Sequence, residues 1–166
     1  YPHLETLPYK FTLAAWNTSS SNDNTTGVPL VLGQNGATTG AALYVTSTYA
    51  SYPYNDFPAL ELVNNSLHAL TASGDWFTNA TTPMSGRPLA WRASRYYRSF
   101  AAQNYSALPV PGSRFPLLAV YGIASSWSLC ATGVLRGQVN VVFNVSGMTT
   151  LGYDMSKCYG VVLHIV

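Results

Sequence analysis

Val139-Asn140-Val141-Val142-Phe143-Asn144-Val145 alternates with a period of two: Val139, Val141, Phe143 and Val145 fall on one side, Asn140, Val142 and Asn144 on the other. That is the period of a strand, and the β-branched and aromatic residues on its apolar side suit a pleated, half-buried surface. The more polar side carries Asn144, the acceptor of an Asn-x-Ser/Thr sequon, and is read as the outer face. Leu43-Tyr44-Val45-Thr46 repeats the pattern, with Leu43 and Val45 on one face and Tyr44 and Thr46 on the other.

Working outward, short runs of the same character are bounded by Gly, Pro, Asn or Ser. They cover 10–16, 28–32, 41–48, 60–63, 67–72, 89–93, 117–121, 127–132, 139–145 and 160–166. Asn64-Asn65 between two of them predicts a tight hairpin, because Asn tolerates the positive φ of a primed turn. A helix over 94–102 is the one competing element, spaced by Arg95, Tyr96, Ser99 and Phe100 and confined by Pro88 and Pro109. No repeat of 20–50 residues and no shift in composition marks a boundary. The expected fold is all-β: residues 1–166 as a single domain, an antiparallel β-sandwich or closed β-barrel of about ten short strands.

Composition bounds the setting. Eight basic and six acidic residues make the chain 8% charged, where a soluble domain has about 25%. Apolar residues at 48% and aromatics at 13% exclude disorder. A net charge of +2 gives no electrostatic reason for a nucleic-acid partner. Sequons occur at Asn17, Asn24, Asn64, Asn79, Asn104 and Asn144, about three times the roughly two that the asparagine and Ser/Thr content yields by chance. Attached glycans would supply the solubilising surface that so few charges cannot. The chain is accordingly expected to be secreted and N-glycosylated.

Two cysteines, Cys130 and Cys158, fit that compartment as one disulfide, against a pair of buried free thiols. The opening Tyr1-Pro2-His3, with no initiator Met and no basic segment leading into an apolar run, reads as a mature N-terminus after loss of a signal peptide. Residues 115–135 are uncharged but interrupted by Pro116, Gly122, Gly133 and several hydroxyl residues, so no membrane insertion is expected.

Chemistry is sparse. The acids are Glu5, Asp23, Asp56, Glu61, Asp75 and Asp154, and no two share a motif that would place a glycosidase pair. His68 and His164 alternate with apolar neighbours and are read as facing outward, and His3 lies in the terminus; no metal site follows. No nucleophile elbow or phosphate loop is present. The chain is read as no enzyme, with no cofactor.

Recognition remains. Tyr44, Tyr49, Tyr52, Tyr54 and Phe57 make an aromatic segment interleaved with Ser, Pro and Asn, and rings with polar tips suit a carbohydrate or protein surface. Tyr49, Tyr52 and Tyr54 are candidate glycan or protein contacts, against their use as cover for the sheet. Trp91-Arg92-Ala93-Ser94-Arg95-Tyr96-Tyr97-Arg98 holds three of the six arginines. Arg, Trp and Tyr dominate interface hot spots, so Trp91, Arg92, Arg95 and Arg98 are the first candidates for partner binding, against a solvated basic face.

Residues 127–133, 139–145 and 157–163, with the short strands at 29–32 and 59–67, resemble small secreted fungal cell-surface proteins similar to the phialide cell-wall protein family, in which a strand near one Cys is followed by a hairpin and a second Cys before a last strand. By length, sequon density and lack of chemistry, the chain is also similar to the non-catalytic small subunit of heterodimeric fungal laccases, an analogy of class. The resemblance implies a secreted accessory subunit or cell-wall component, partnered by a larger secreted protein or a cell-wall glycan. A carbohydrate-binding lectin is the alternative, and a glycoside hydrolase the third class.

Overall fold

A computed structural model describes residues 2–74, 78–94, 101–132, 137–145 and 152–166. These contain twelve strands: β1 (Leu13–Asn17), β2 (Val28–Thr38), β3 (Ala41–Thr48), β4 (Ala59–Val63), β5 (Ser66–Leu70), β6 (Thr78–Ala80), β7 (Ala90–Ala93), β8 (Tyr105–Leu108), β9 (Leu117–Val120), β10 (Trp127–Ala131), β11 (Val139–Phe143) and β12 (Tyr159–Ile165). All pairings are antiparallel. β11, β10, β12, β1, β2 and β3 hydrogen-bond in that order, and the pairing of Asn140 with Ser47 joins β11 back to β3. The result is a closed six-stranded barrel with further strands outside it. Closure leaves the barrel no free edge to template aggregation.

Two barrel strands carry the outer strands. β12 pairs along one edge with β1; along the other, Trp127 and Ser128 of β10 meet Val161 and Gly160, while Leu117 of β9 meets His164. β3 likewise pairs with β2 along one edge and is shared on the other between β7, over 42–45, and β11 at Ser47. From β7 the sheet runs on through β6 and β5 to β4, and from β9 to β8. The N-terminal segment joins the two ends: Phe11 and Leu60 exchange backbone bonds of 3.0 and 2.8 Å, and Leu4 and Ala107 exchange bonds of 2.8 and 2.9 Å.

Register puts buried apolar residues of every strand but β3 into a common cluster, against which β3 packs its half-buried Tyr44. Leu13 and Ala15, Leu30 and Leu32, Leu60 and Leu62, Trp127 and Leu129, Val141 and Phe143, and Val161, Leu163 and Ile165 belong to it. Its large side chains with a polar atom each reach a partner, as burial of an N–H or O–H requires. Trp91 Nε1 donates to Thr46 Oγ1 (2.9 Å), Trp127 Nε1 to the Leu118 carbonyl (3.0 Å) and the Tyr105 hydroxyl to the Thr81 carbonyl (2.7 Å). Burial pushes the Tyr105 phenol far above its ordinary pKa, so it stays neutral and donating.

The all-β expectation holds as a barrel with twelve strands rather than about ten. β6 and β8 were not foreseen: Thr78-Asn79-Ala80 and Tyr105-Ser106-Ala107-Leu108 are short and half polar, and their neighbours β5, β7 and β9 draw them into the sheet. Asn64 and Asn65 form the expected turn, with φ of +48° and +64° between the paired Val63 and Ser66. The alternation is correct in phase over 139–143, but the strand ends at Phe143, where Asn144 turns to φ +45°, and Asn140 and Val142 are buried along with Val141 and Phe143. The second face is covered as well, and only Asn144, just past the strand, is exposed. His68 is likewise buried rather than outward, and His164 is half-buried between the rings of Trp16 and Phe115. The helix considered over 94–102 falls mainly on 95–100, outside the described residues. A disulfide joins Cys130 and Cys158, tying β10 to the start of β12.

Candidate functional site: a tyrosine-lined cleft

The loop after β3 carries all three expected contact tyrosines, Tyr49, Tyr52 and Tyr54. It is held by its own hydroxyls: Thr48 Oγ1 donates to Ser51 Oγ (2.8 Å), Ser51 Oγ donates to the Thr48 carbonyl (3.1 Å), and the N–H of Tyr52 donates to the same carbonyl (3.0 Å). Ser51 Oγ also accepts from the backbone N–H of Val139 at 2.9 Å, which pins the loop against the start of β11. Tyr52 and Tyr54 then stand edge to face, their centroids 5.1 Å apart and their planes at 66°. Tyr54 is 61% exposed.

Opposite the loop, β2 runs past its barrel pairing, and its register with β3 breaks between Gln34 and Ala37. Gly36, at φ +97°, supplies a conformation that a side chain would resist, and the break begins just after Gln34, which lines a cleft with the tyrosines. Gln34, Gly36, Ser51, Tyr52, Pro53, Tyr54 and Gln138 enclose a cleft of about 400 Å³.

One wall is preorganised, since Gln138 Nε2 donates to the Gln34 carbonyl (3.0 Å). Outside the cleft's lining, Ser47 Oγ donates to Asn140 Oδ1 (2.6 Å), and Asn140 Nδ2 donates to the Tyr153 hydroxyl (2.9 Å). Burial raises the Tyr153 phenol, and the bond from Asn140 partly offsets that rise. Gly33 lets β2 close on β3, since a Cβ there would stand 2.5 Å from Ser47 Oγ. Among the described residues, no carboxylate, Lys, Arg or His and no sequon asparagine lines this cleft. Asn35, between Gln34 and Gly36, instead lines a second cleft of about 460 Å³ with Arg87, Pro88 and Tyr153.

The expected contacts are sorted unevenly. Tyr52 and Tyr54 line the cleft; Tyr49, 47% exposed, is on the same loop but not in its wall. Tyr44 and Phe57 pack edge to face at 5.1 Å, with Phe57 buried, so the ends of the aromatic segment serve the core. Trp91 cannot meet a partner: it is fully buried, on the core side of β7. Arg92 is half-buried on the opposite side, its Nε enclosed without a hydrogen-bond partner among the described residues. Arg95 and Arg98 lie outside the described residues. The sequence reading missed Gln34 and Gln138; Gly33-Gln34-Asn35-Gly36 was the available signal, since two nearby glycines in a strand mark a bulge or a close approach.

The sequons also divide. Asn17 and Asn24 each use Oδ1 to accept backbone N–H bonds from residues just downstream, which orients the amide while the exposed loop leaves room for a sugar. Asn64 and Asn144 are exposed and Asn104 is half-buried. Asn79 does not fit a glycan acceptor. It is 9% exposed, and its Oδ1 lies 2.5 Å from His68 Nδ1. Register sets Glu61, His68, Asn79 and Arg92 in one row across β4, β5, β6 and β7. Mass-spectrometric mapping is expected to find glycans at Asn24 and Asn64 and a bare Asn79. Asn79→Gln should leave the glycoform mass unchanged while lowering stability by about 1–3 kcal/mol. A glycan at Asn79 in the folded protein would contradict this packing.

Among the described residues, no group of three or more His, Cys, Asp and Glu converges as a metal site, and no helix is long and apolar enough to cross a membrane. No family model matches the chain, and no curated protein and no solved structure matches it either.

Proposed function

We propose that this chain is a secreted, N-glycosylated fungal protein without a reaction of its own, which acts in the cell wall by binding glycan through the cleft between the 49–54 loop and β2. The observation that carries this reading is the cleft itself: the half-buried ring of Tyr52 and the exposed ring of Tyr54 beside the side-chain amides of Gln34 and Gln138, the latter already held by the Gln34 carbonyl. Rings bury the apolar face of a sugar while amides and phenol hydroxyls meet its hydroxyls. The Cys130–Cys158 disulfide and the exposed sequons support an extracellular setting.

Sedimentation with an isolated fungal cell-wall fraction tests it. The wild-type protein is expected to pellet with the wall, and a Tyr52→Ala/Tyr54→Ala variant to bind about tenfold more weakly, the equivalent of 1.4 kcal/mol. Equal retention of both proteins would overturn the assignment of this surface.

A second reading is favoured by the exposure of Tyr49 and Tyr54, since tyrosines so placed also anchor protein interfaces. The chain would then be an accessory subunit of a larger secreted enzyme, such as a laccase, stabilising it by mass action. Purification under non-dissociating conditions would show an enzyme travelling with the wild type and lost from the same variant.

A further inference from the structure

We infer that the cleft takes a single, uncharged glycan chain, one or two sugar rings at a time, rather than an acidic polysaccharide or the flat face of a crystalline one. This rests on the reading of the cleft as a glycan site and narrows it to a substrate class. Charge supplies the first argument. An acidic polysaccharide needs cations at its carboxylates, commonly the planar fork of Arg, and among the described residues the wall holds none. Ring geometry supplies the second. A crystalline face is recognised by aromatic rings lying in one plane, whereas Tyr52 and Tyr54 meet at 66° with centroids 5.1 Å apart. One ring can stack on a sugar face only while the other addresses that sugar's edge, which suits a separate chain lying in a cleft.

The free hydrogen-bonding capacity agrees. Ser51 Oγ is committed within the loop and to Val139, and Gln138 Nε2 to the Gln34 carbonyl. The side-chain amide of Gln34 and the hydroxyls of Tyr52 and Tyr54 therefore remain as the groups facing a ligand. An amide and two phenols match neutral hydroxyls as both donors and acceptors, with no charge to be desolvated.

Affinity electrophoresis of the intact glycoprotein through gels containing soluble β-glucan, polygalacturonate or no polymer, with a parallel pull-down on microcrystalline cellulose, tests the inference. Retardation is expected in the β-glucan gel alone, with the dissociation constant rising about tenfold in Tyr54→Ala and severalfold in Gln34→Ala, both retaining the wild-type melting temperature. Retardation by polygalacturonate, or capture by cellulose without retardation by soluble glucan, would overturn the inference while leaving the cleft as a glycan site, provided Tyr54→Ala abolishes it. No retention by any glycan, with a protein partner lost from Tyr54→Ala, would overturn the inference and the wall-glycan reading in favour of the subunit. Retention unchanged in Tyr54→Ala would remove the cleft itself.

Discussion

Trp91→Ala is expected to lower the unfolding free energy by about 3–5 kcal/mol, the range for truncating a buried large aromatic. Trp91 is fully buried at the junction where β7 leaves β3, and its indole N–H is the donor to Thr46 Oγ1. Truncation therefore opens a cavity and also removes a buried hydroxyl's partner. For a chain of this size the loss corresponds to a fall in Tm of roughly 6–20 °C, read by thermal or urea unfolding. Trp91→Phe separates the two effects, since it keeps most of the ring and removes only the N–H; about 1–3 kcal/mol is expected. Were Trp91 a contact for a partner, its substitution would leave unfolding untouched and weaken association instead. That result would contradict the placement of β7.

Loss of the disulfide should have a comparable effect. The double variant Cys130→Ala/Cys158→Ala releases a crosslink of sequence separation 28, for which the chain-entropy relation gives about 3–4 kcal/mol. Cys130 is fully buried on β10, whereas Cys158 follows a short helical turn, Met155–Lys157, just before β12. That turn is capped by Asp154, whose carboxylate accepts from the hydroxyl and the N–H of Ser156. These bonds, helped by Lys157, hold its pKa below the usual carboxylate range although the side chain is exposed. The crosslink anchors this exposed cap to the buried strand. Urea titration of the double variant, and of the wild type with a reductant, should show matching losses. A shift below about 1 kcal/mol in both would mean that the crosslink adds little to the barrel.

What could be read from the chain follows from how local each signal is. The strand character of 139–143 and the Asn64-Asn65 turn lie within a few residues, where period and positive φ decide the outcome. Which faces would be covered is not local. Asn140 reads as an outer residue by its polarity, yet it is buried because Ser47, 93 residues away, and Tyr153 both bond it. His68 reads as outward by alternation, but Asn79 on the adjacent strand meets it there. Trp91 was misassigned for a similar reason. Its neighbours Arg92 and Arg95 suggested a surface, whereas in a strand consecutive side chains point to opposite faces, so Arg92 and Trp91 never share one. The tyrosine loop was legible because its residues are contiguous; Gln34 and Gln138, which complete the cleft, come from two other parts of the chain.

The position of β12 between β1 and β10 bears on how the molecule is made. Leu13 on β1 pairs with Ile165 on β12, and Trp127 on β10 with Val161. The segment that completes β1 is therefore translated about 150 residues after it, roughly 8–30 s later at ordinary elongation rates. Throughout that interval one side of β1 has no native mate on the nascent chain, and a chain already assembled into β1, β2 and β3 presents a row of open amides and carbonyls to its surroundings. Sugars attached early, at Asn17, the last residue of β1, and at Asn24 beyond it, would stand beside that open flank until β12 arrives.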